Sequence, residues 1–439
     1  MDTAPRFAIA LLSASCMLLC PSRSTRAADK GGHLDASLTF RGRIILTDVG
    51  DGTFEGAYAI AVQPDGKIVA VGFSSPAVGP SIDFALVRYE STGRVDRQFG
   101  DNGRVLTDFG GTGSTDQASG VAIDSLGRIV VAGYTSSNAG FDFAVARYNP
   151  DGTPDITFNS TGKVVTDFGG SDTGKAVAID SNDKIVVAGY SNAGGTYDFA
   201  VVRYNVDGTL DTTFNATGRV LTDFGVGSGD FATAEVIQAD GKIVVGGLSD
   251  ASGIPYDFAL ARYNPNGTLD LTFNATGKVL TDFSGSGSND TLQALAIQSD
   301  GKIVAAGQSI VSGRPSFAVA RYTMTGNLDG TFNATGKVLT TFDSGSAMAN
   351  AVVIQSDGKI VAAGSFDNGN PKGSDFALAR YNIDGTPDST FHSMGKVVTD
   401  IGGSEVAYSV GIQPDGRIVA AGFSDVRKTS DFALVRYFP

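Results

Sequence analysis

Apolar and polar positions alternate in short runs along almost the whole chain, and no stretch keeps a helical period. Residues 119–124, 128–133, 142–148 and 163–168 are typical, rich in Val, Ile, Phe or Tyr and bounded by glycine or polar residues. Within 142–148, Phe143, Val145 and Arg147 share one side and alanines the other. A period of two with β-branched and aromatic residues predicts strands. Asp-Gly pairs at Asp65, Asp240, Asp300, Asp357 and Asp415 predict two-residue hairpin turns of the primed type.

These runs are repeated. The dipeptide Arg-Tyr begins at Arg88, Arg147, Arg203, Arg262, Arg321, Arg380 and Arg436, at spacings of 59, 56, 59, 59, 59 and 56 residues. Seven repeats of four strands predict an all-β fold, a seven-bladed β-propeller with four antiparallel strands per blade. A β-solenoid would have shorter coils and no hairpin turns. The first strand of each repeat carries Ala59, Gly120, Ala176, Ala234, Ala294, Ala351 or Ser409 at one position. Small residues belong where blades converge, so this strand is the innermost. The chain starts with an outer-type strand at 43–48 and ends on a third strand at 431–437. The N-terminal strand must therefore complete the last blade, closing the ring and removing its free edges.

The recurring Leu-Asp-x-x-Phe, Gly-Lys-Val-x-Thr-Asp-Phe-Gly, Asp-Gly-Lys-Ile-Val-x-x-Gly and Asp-Phe-Ala-x-x-Arg-Tyr segments resemble the delta-60 repeat. The resemblance covers nearly all of residues 41–439 and implies a β-propeller domain of unknown function from a secreted bacterial protein. It implies no activity. Asn182-Asp183 departs from the pattern by replacing the usual Asp-Gly turn.

The first residues differ in character. Arg6, the apolar run from Phe7 to Cys20 and the small residues around Ala27 read as a secretory signal peptide, residues 1–27. Residues 28–40 then form a leader ahead of the propeller at 41–439. Removing residues 1–27, with their three arginines and one aspartate, takes the net charge from −13 to −15. Both cysteines, Cys16 and Cys20, leave with the signal. An acidic surface argues against nucleic-acid partners, and no run is long enough for membrane insertion. The expected product is a secreted monomer.

Catalytic chemistry is thinly provided. The only histidines are His33 and His392, and tryptophan is absent. Most acidic residues recur in every repeat, so structure is their first explanation. The arginine of Arg-Tyr and the aspartate of Leu/Val/Pro-Asp, such as Arg147 and Asp155, are expected to pair structurally. A further recurring set joins the aspartate opening the third strand to the one ending the fourth. The pairs are Asp83/Asp108, Asp142/Asp167, Asp198/Asp223, Asp257/Asp282, Asp375/Asp400 and, through ring closure, Asp431/Asp48. One repeat has Ser316 and Thr341 instead, losing both together. Adjacent carboxylates repel unless something intervenes. Calcium at each pair is one reading; separate capping of loop amides, with no cofactor, is the simpler one.

Connections after the second and fourth strands vary in length and sequence, while the other turns are constant. An up-and-down topology gathers the variable connections on one face, where binding usually resides. Tyr58, Ser119, Lys175, Thr233, Gln293, Asn350 and Tyr408 enter the inner strands from that face and differ chemically while their neighbours repeat. Glu235, standing where the other repeats have Ile, Val or Leu, is counted with them as a candidate ligand-binding residue. The sequence thus reads as a non-enzymatic scaffold binding an extracellular protein or glycan through this face. The alternative is a hydrolase or lyase using carboxylates at the channel mouth.

Overall fold

The structure is a computed structural model that describes residues 31–439 apart from 39–43, 51–53, 76–80, 112, 138–139, 254, 286–287, 370 and 428. The predicted signal peptide lies outside the described residues. Seven four-stranded antiparallel sheets form a ring, a seven-bladed β-propeller. Blade one runs from its inner strand Phe54–Val62 through Ile68–Ser75 and Asp83–Tyr89 to its outer strand Arg104–Thr107. Blades two to six repeat this order. In blade seven, the inner strand Glu405–Ile412 is followed by Ile418–Ser424 and Asp431–Tyr437, and the outer strand is Ile44–Thr47 from the other end of the chain. Ile44 to Thr47 pair with Val435 to Phe432, which closes the ring as expected.

The core lies between blades. Second and third strands are buried on both faces, as in Asp198–Tyr204, where every residue is buried. Their side chains are short, Val, Ala and Leu, because each sheet is sandwiched by its neighbours. Each hydrophobic cluster joins two adjacent blades; Val244 and Leu260 of blade four, for example, pack with Leu292 and Ala305 of blade five. The tyrosine of every Arg-Tyr reaches across the same boundary. Its hydroxyl pairs with the threonine ending the previous blade's outer strand at 2.6–2.9 Å, as with Tyr89/Thr47 and Tyr437/Thr399.

Two expectations need correction. The Asp-Gly hairpins are not two-residue primed turns. Gln63 N–H bonds Lys67 O, and Gly66 N–H bonds Gln63 O, leaving a three-residue loop in which Gly66 alone takes a positive φ of 83°. In blade three Asp183 takes that conformation at φ 58°. The leader is also part of the propeller. Leu34 bridges to Tyr437, and Asp35 supplies the carboxylate that pairs with Arg436, so the seventh repeat begins before residue 41.

Candidate binding face

The seven residues that vary at the entry of the inner strands share one backbone device. Each is the extra residue of a β-bulge: pairing with the second strand skips Tyr58, Ser119, Lys175, Thr233, Gln293, Asn350 and Tyr408. A bulge re-aims the side chain it releases. It also forces the backbones together. A Cβ on Gly72, Gly133, Gly189, Gly247, Gly307, Gly364 or Gly422 would sit 1.8–2.0 Å from a carbonyl oxygen of the inner strand. The constant glycine of Ile-Val-x-x-Gly is thus the counterpart of the bulge. Constant backbone and varying side chain occur side by side.

All seven residues are half-buried. Thr233 Oγ1 donates to Leu292 O at 2.7 Å and Asn350 Nδ2 to Ala407 O at 2.9 Å, so two of them tie their blade to the next. Tyr58 and Tyr408 lie 4.8 Å apart between ring centroids, joining blades one and seven. The residues after the constant glycines add further aromatics: Phe73 lies 5.6 Å from Tyr58, and Tyr134 donates to Gln117 Oε1. Tyr190 contacts Phe231 at 5.1 Å, and Phe54 stands 56% exposed beside Phe73. The sequence reading missed Tyr134 and Tyr190. Their signal was available in the position following each constant glycine, which varies from Phe to Tyr, Leu, Gln and Ser.

Lys175 occupies the middle of this aromatic arc. Its Nζ lies 5.7 Å from the Tyr134 ring and 5.8 Å from the Tyr190 ring, and no carboxylate pairs with it among the described residues. Burial lowers the Lys175 pKa and lifts the Tyr134 hydroxyl to about 12. A cation held by ring faces keeps its charge available to a ligand.

Glu235 does not join the ring. Its two carboxylate oxygens are sealed from solvent and complete no aligned hydrogen bond, although the Ala178 amide of blade three bears on them. Burial raises its pKa well above the ordinary value, and no second carboxylate acts on it. Its alternation places it towards the neighbouring blade, where Val177 and Leu295 pack in theirs.

The expected aspartate pairs do come together, and the next blade brings a third acid to each. Asp83/Asp108 gain Asp116, Asp142/Asp167 gain Asp172, Asp198/Asp223 gain Asp230, Asp257/Asp282 gain Asp290, and Asp375/Asp400 gain Glu405. Within each set, carboxylate oxygens lie within 4.8 Å of one another. At ring closure Asp431 and Asp48 are electrostatically coupled, and Asp48 also acts on Glu55, which holds the equivalent third place. The variable connection hides this third acid in sequence, but it always precedes the bulge residue by three.

The arginines lie on the opposite face and are structural in their contacts. Each Nε donates to its aspartate at 2.7–2.9 Å, Arg147 to Asp155 among them. Six also stack on a phenylalanine at 4.5–4.7 Å.

Seven segments of the chain, residues 63–99, 127–158, 181–214, 238–273, 298–332, 355–391 and 413–439, match the DUF5122 β-propeller, a domain of unknown function. The chain belongs to the DUF5122 β-propeller family. Residues 97–141 also match a β-propeller repeat named SBBP. Among curated proteins none matches. Solved structures similar to this family member include polysaccharide lyase Uly1, at 12% identity and TM-score 0.49, covering 87% of this chain and 89% of that one. Sqt1 from Chaetomium thermophilum is similar at 12% identity and TM-score 0.44, covering 86% and 82%. An α-L-arabinanase from Penicillium chrysogenum is similar at 8% identity and TM-score 0.43, covering 87% and 92%. At these scores the likeness carries no functional argument.

Proposed function

We propose that this protein is a secreted, non-enzymatic binding scaffold whose variable face takes an acidic polysaccharide. One observation carries the reading: Lys175, held between Tyr134 and Tyr190 with no carboxylate partner among the described residues, in a chain of net charge −13. A lone desolvated cation on so acidic a protein is poorly explained by packing. It suits a ligand carboxylate or sulfate, while the flanking tyrosines offer apolar faces to sugar rings and hydroxyls to their edges. Phe54 and the Tyr58/Tyr408 pair extend that surface across blades one and seven. Glu235, sealed in the wall without a second carboxylate, offers nothing towards the paired-acid chemistry a hydrolase would need.

The test is an array of acidic and neutral oligosaccharides probed with the purified protein. Retention of uronate-containing or sulfated chains over neutral glucans is expected. Retention of neutral chains only, or of none, would refute the proposal.

A further inference from the structure

The acid cluster of Asp198, Asp223 and Asp230 on the variable face contains one carboxylate that capping leaves unexplained. In four sets the second acid caps its loop: Asp108 Oδ1 accepts from Gly111 N at 2.7 Å and Asp223 Oδ1 from Gly225 N at 2.7 Å, with Asp167 and Asp282 alike. The third acid, from the next blade, caps the residue beyond: Asp116 Oδ2 accepts from Phe109 N at 2.6 Å and Asp230 Oδ2 from Phe224 N at 2.7 Å. In the cluster joining blades three and four the first acid has no such duty. Asp198 is 7% exposed, its Oδ1 has no hydrogen-bond partner, and it faces Asp223 and Asp230. Asp290 Oδ1 is likewise buried and unpartnered in its own cluster. Among the described residues no Lys or Arg forms an ion pair with the Asp198 cluster. A buried carboxylate beside two others, without donor or cation, is costly as it stands.

The odd junction points the same way. Between blades five and six the three places hold Ser316, Thr341 and Ala347. A fourth place changes with them. The residue paired with the third acid is Thr135, Ser191 or Ser249 in blades two to four but Phe366 opposite Ala347. Phe366 is buried and packs 5.7 Å from Phe342. Where the acids are absent, apolar packing fills the junction.

We infer that the five triads whose oxygens lie within 4.8 Å of one another each bind a hard divalent cation, calcium in kind, which ties the third and outer strands of one blade to the inner strand of the next. The donors are all oxygen, which selects against soft metals. Three oxygens within 4.8 Å of one another share a centre no more than about 2.8 Å from each, so a small side-chain rotation brings them to the 2.3–2.6 Å that calcium requires.

Calorimetric titration of the chelator-stripped full chain with calcium chloride tests this, alongside melting curves in calcium and in chelator. The expected uptake is about five ions per chain, following the five triads. Asp198→Asn should lower uptake by about one. In chelator that variant should melt no lower than wild type, since it removes a repulsion, and in calcium it should gain less. A chain changed at Ser316→Asp, Thr341→Asp, Ala347→Asp and Phe366→Ser together should take up one ion more. No uptake at millimolar calcium with melting indifferent to chelator would overturn the inference. So would uptake that Asp198→Asn leaves unchanged.

Discussion

Arg262 shows how one repeated side chain holds two blades. Nε donates to Asp270 at 2.9 Å, Nη2 to Thr272 Oγ1 at 3.3 Å and Nη1 to Met324 O in the next blade, while the guanidinium stacks 4.5 Å over Phe273. Arg262→Ala would strand the buried Asp270, for which Lys242 at 3.6 Å is a partial substitute. The expected loss is about 2–3 kcal/mol in denaturant unfolding, below the cost of a wholly uncompensated buried charge. Ligand binding on the opposite face should survive; lost binding with unchanged stability would overturn the structural assignment. Glu235 makes a prediction of the other sign. Its folded pKa lies above its unfolded value because burial disfavours the charged form. Its contribution is therefore fully present below the unfolded value of about 4.5 and is lost as pH rises towards the folded value. Glu235→Gln should match wild type in melting temperature at pH 4 and exceed it at pH 8. An equal difference at both pH values would contradict the burial.

At the scale of elements, the bulge and its glycine act as a unit. Gly189→Ala places a Cβ 1.9 Å from Thr173 O, backbone against backbone, so neither side can yield. It should cost about 3 kcal/mol or more by chemical denaturation. A near-neutral result would mean that the inner strand is not bulged at Lys175. Ring closure is the second element-scale claim. Deleting residues 28–50 removes the outer strand of blade seven and Asp35 with it, exposing an edge and an unpaired Arg436. Aggregation or a large drop in melting temperature is expected, and unchanged melting would refute closure. Both strand order and closure were legible in the sequence, because small residues such as Gly120 mark the crowded axis and 431–437 lacks a following outer strand. The bulges were not, since a bulge leaves no gap in a sequence; only the varying residue and the constant glycine betray it. The turn type was misread because Asp-Gly also suits a three-residue loop with one left-handed glycine. The direction of the Glu235 side chain is not legible in sequence either; the strand's alternation turns it into the wall.

Over the whole molecule, repetition supplies rigidity and its exceptions supply chemistry. Seven Arg–Asp pairs and seven Tyr–Thr contacts stitch the ring together, and on the other face seven bulges present side chains of six kinds. The stitching has a pH limit. Burial alone would raise Asp388, but Thr390, Lys359 and Arg380 together pull it down to about 2, and Asp329 is held at about 2 in the same way. Stability from such depressed carboxylates is present above about 3.8 and lost as pH falls through about 2, so the propeller should unfold on acidification within that window. Lys175 tests the proposed binding role of the ring most directly. Titrate wild type and Lys175→Ala with an oligogalacturonate and record both melting curves. At least about tenfold weaker binding by Lys175→Ala, about 1.4 kcal/mol, is expected with the fold unchanged. Equal affinity in the two proteins, or no binding by wild type, would contradict it.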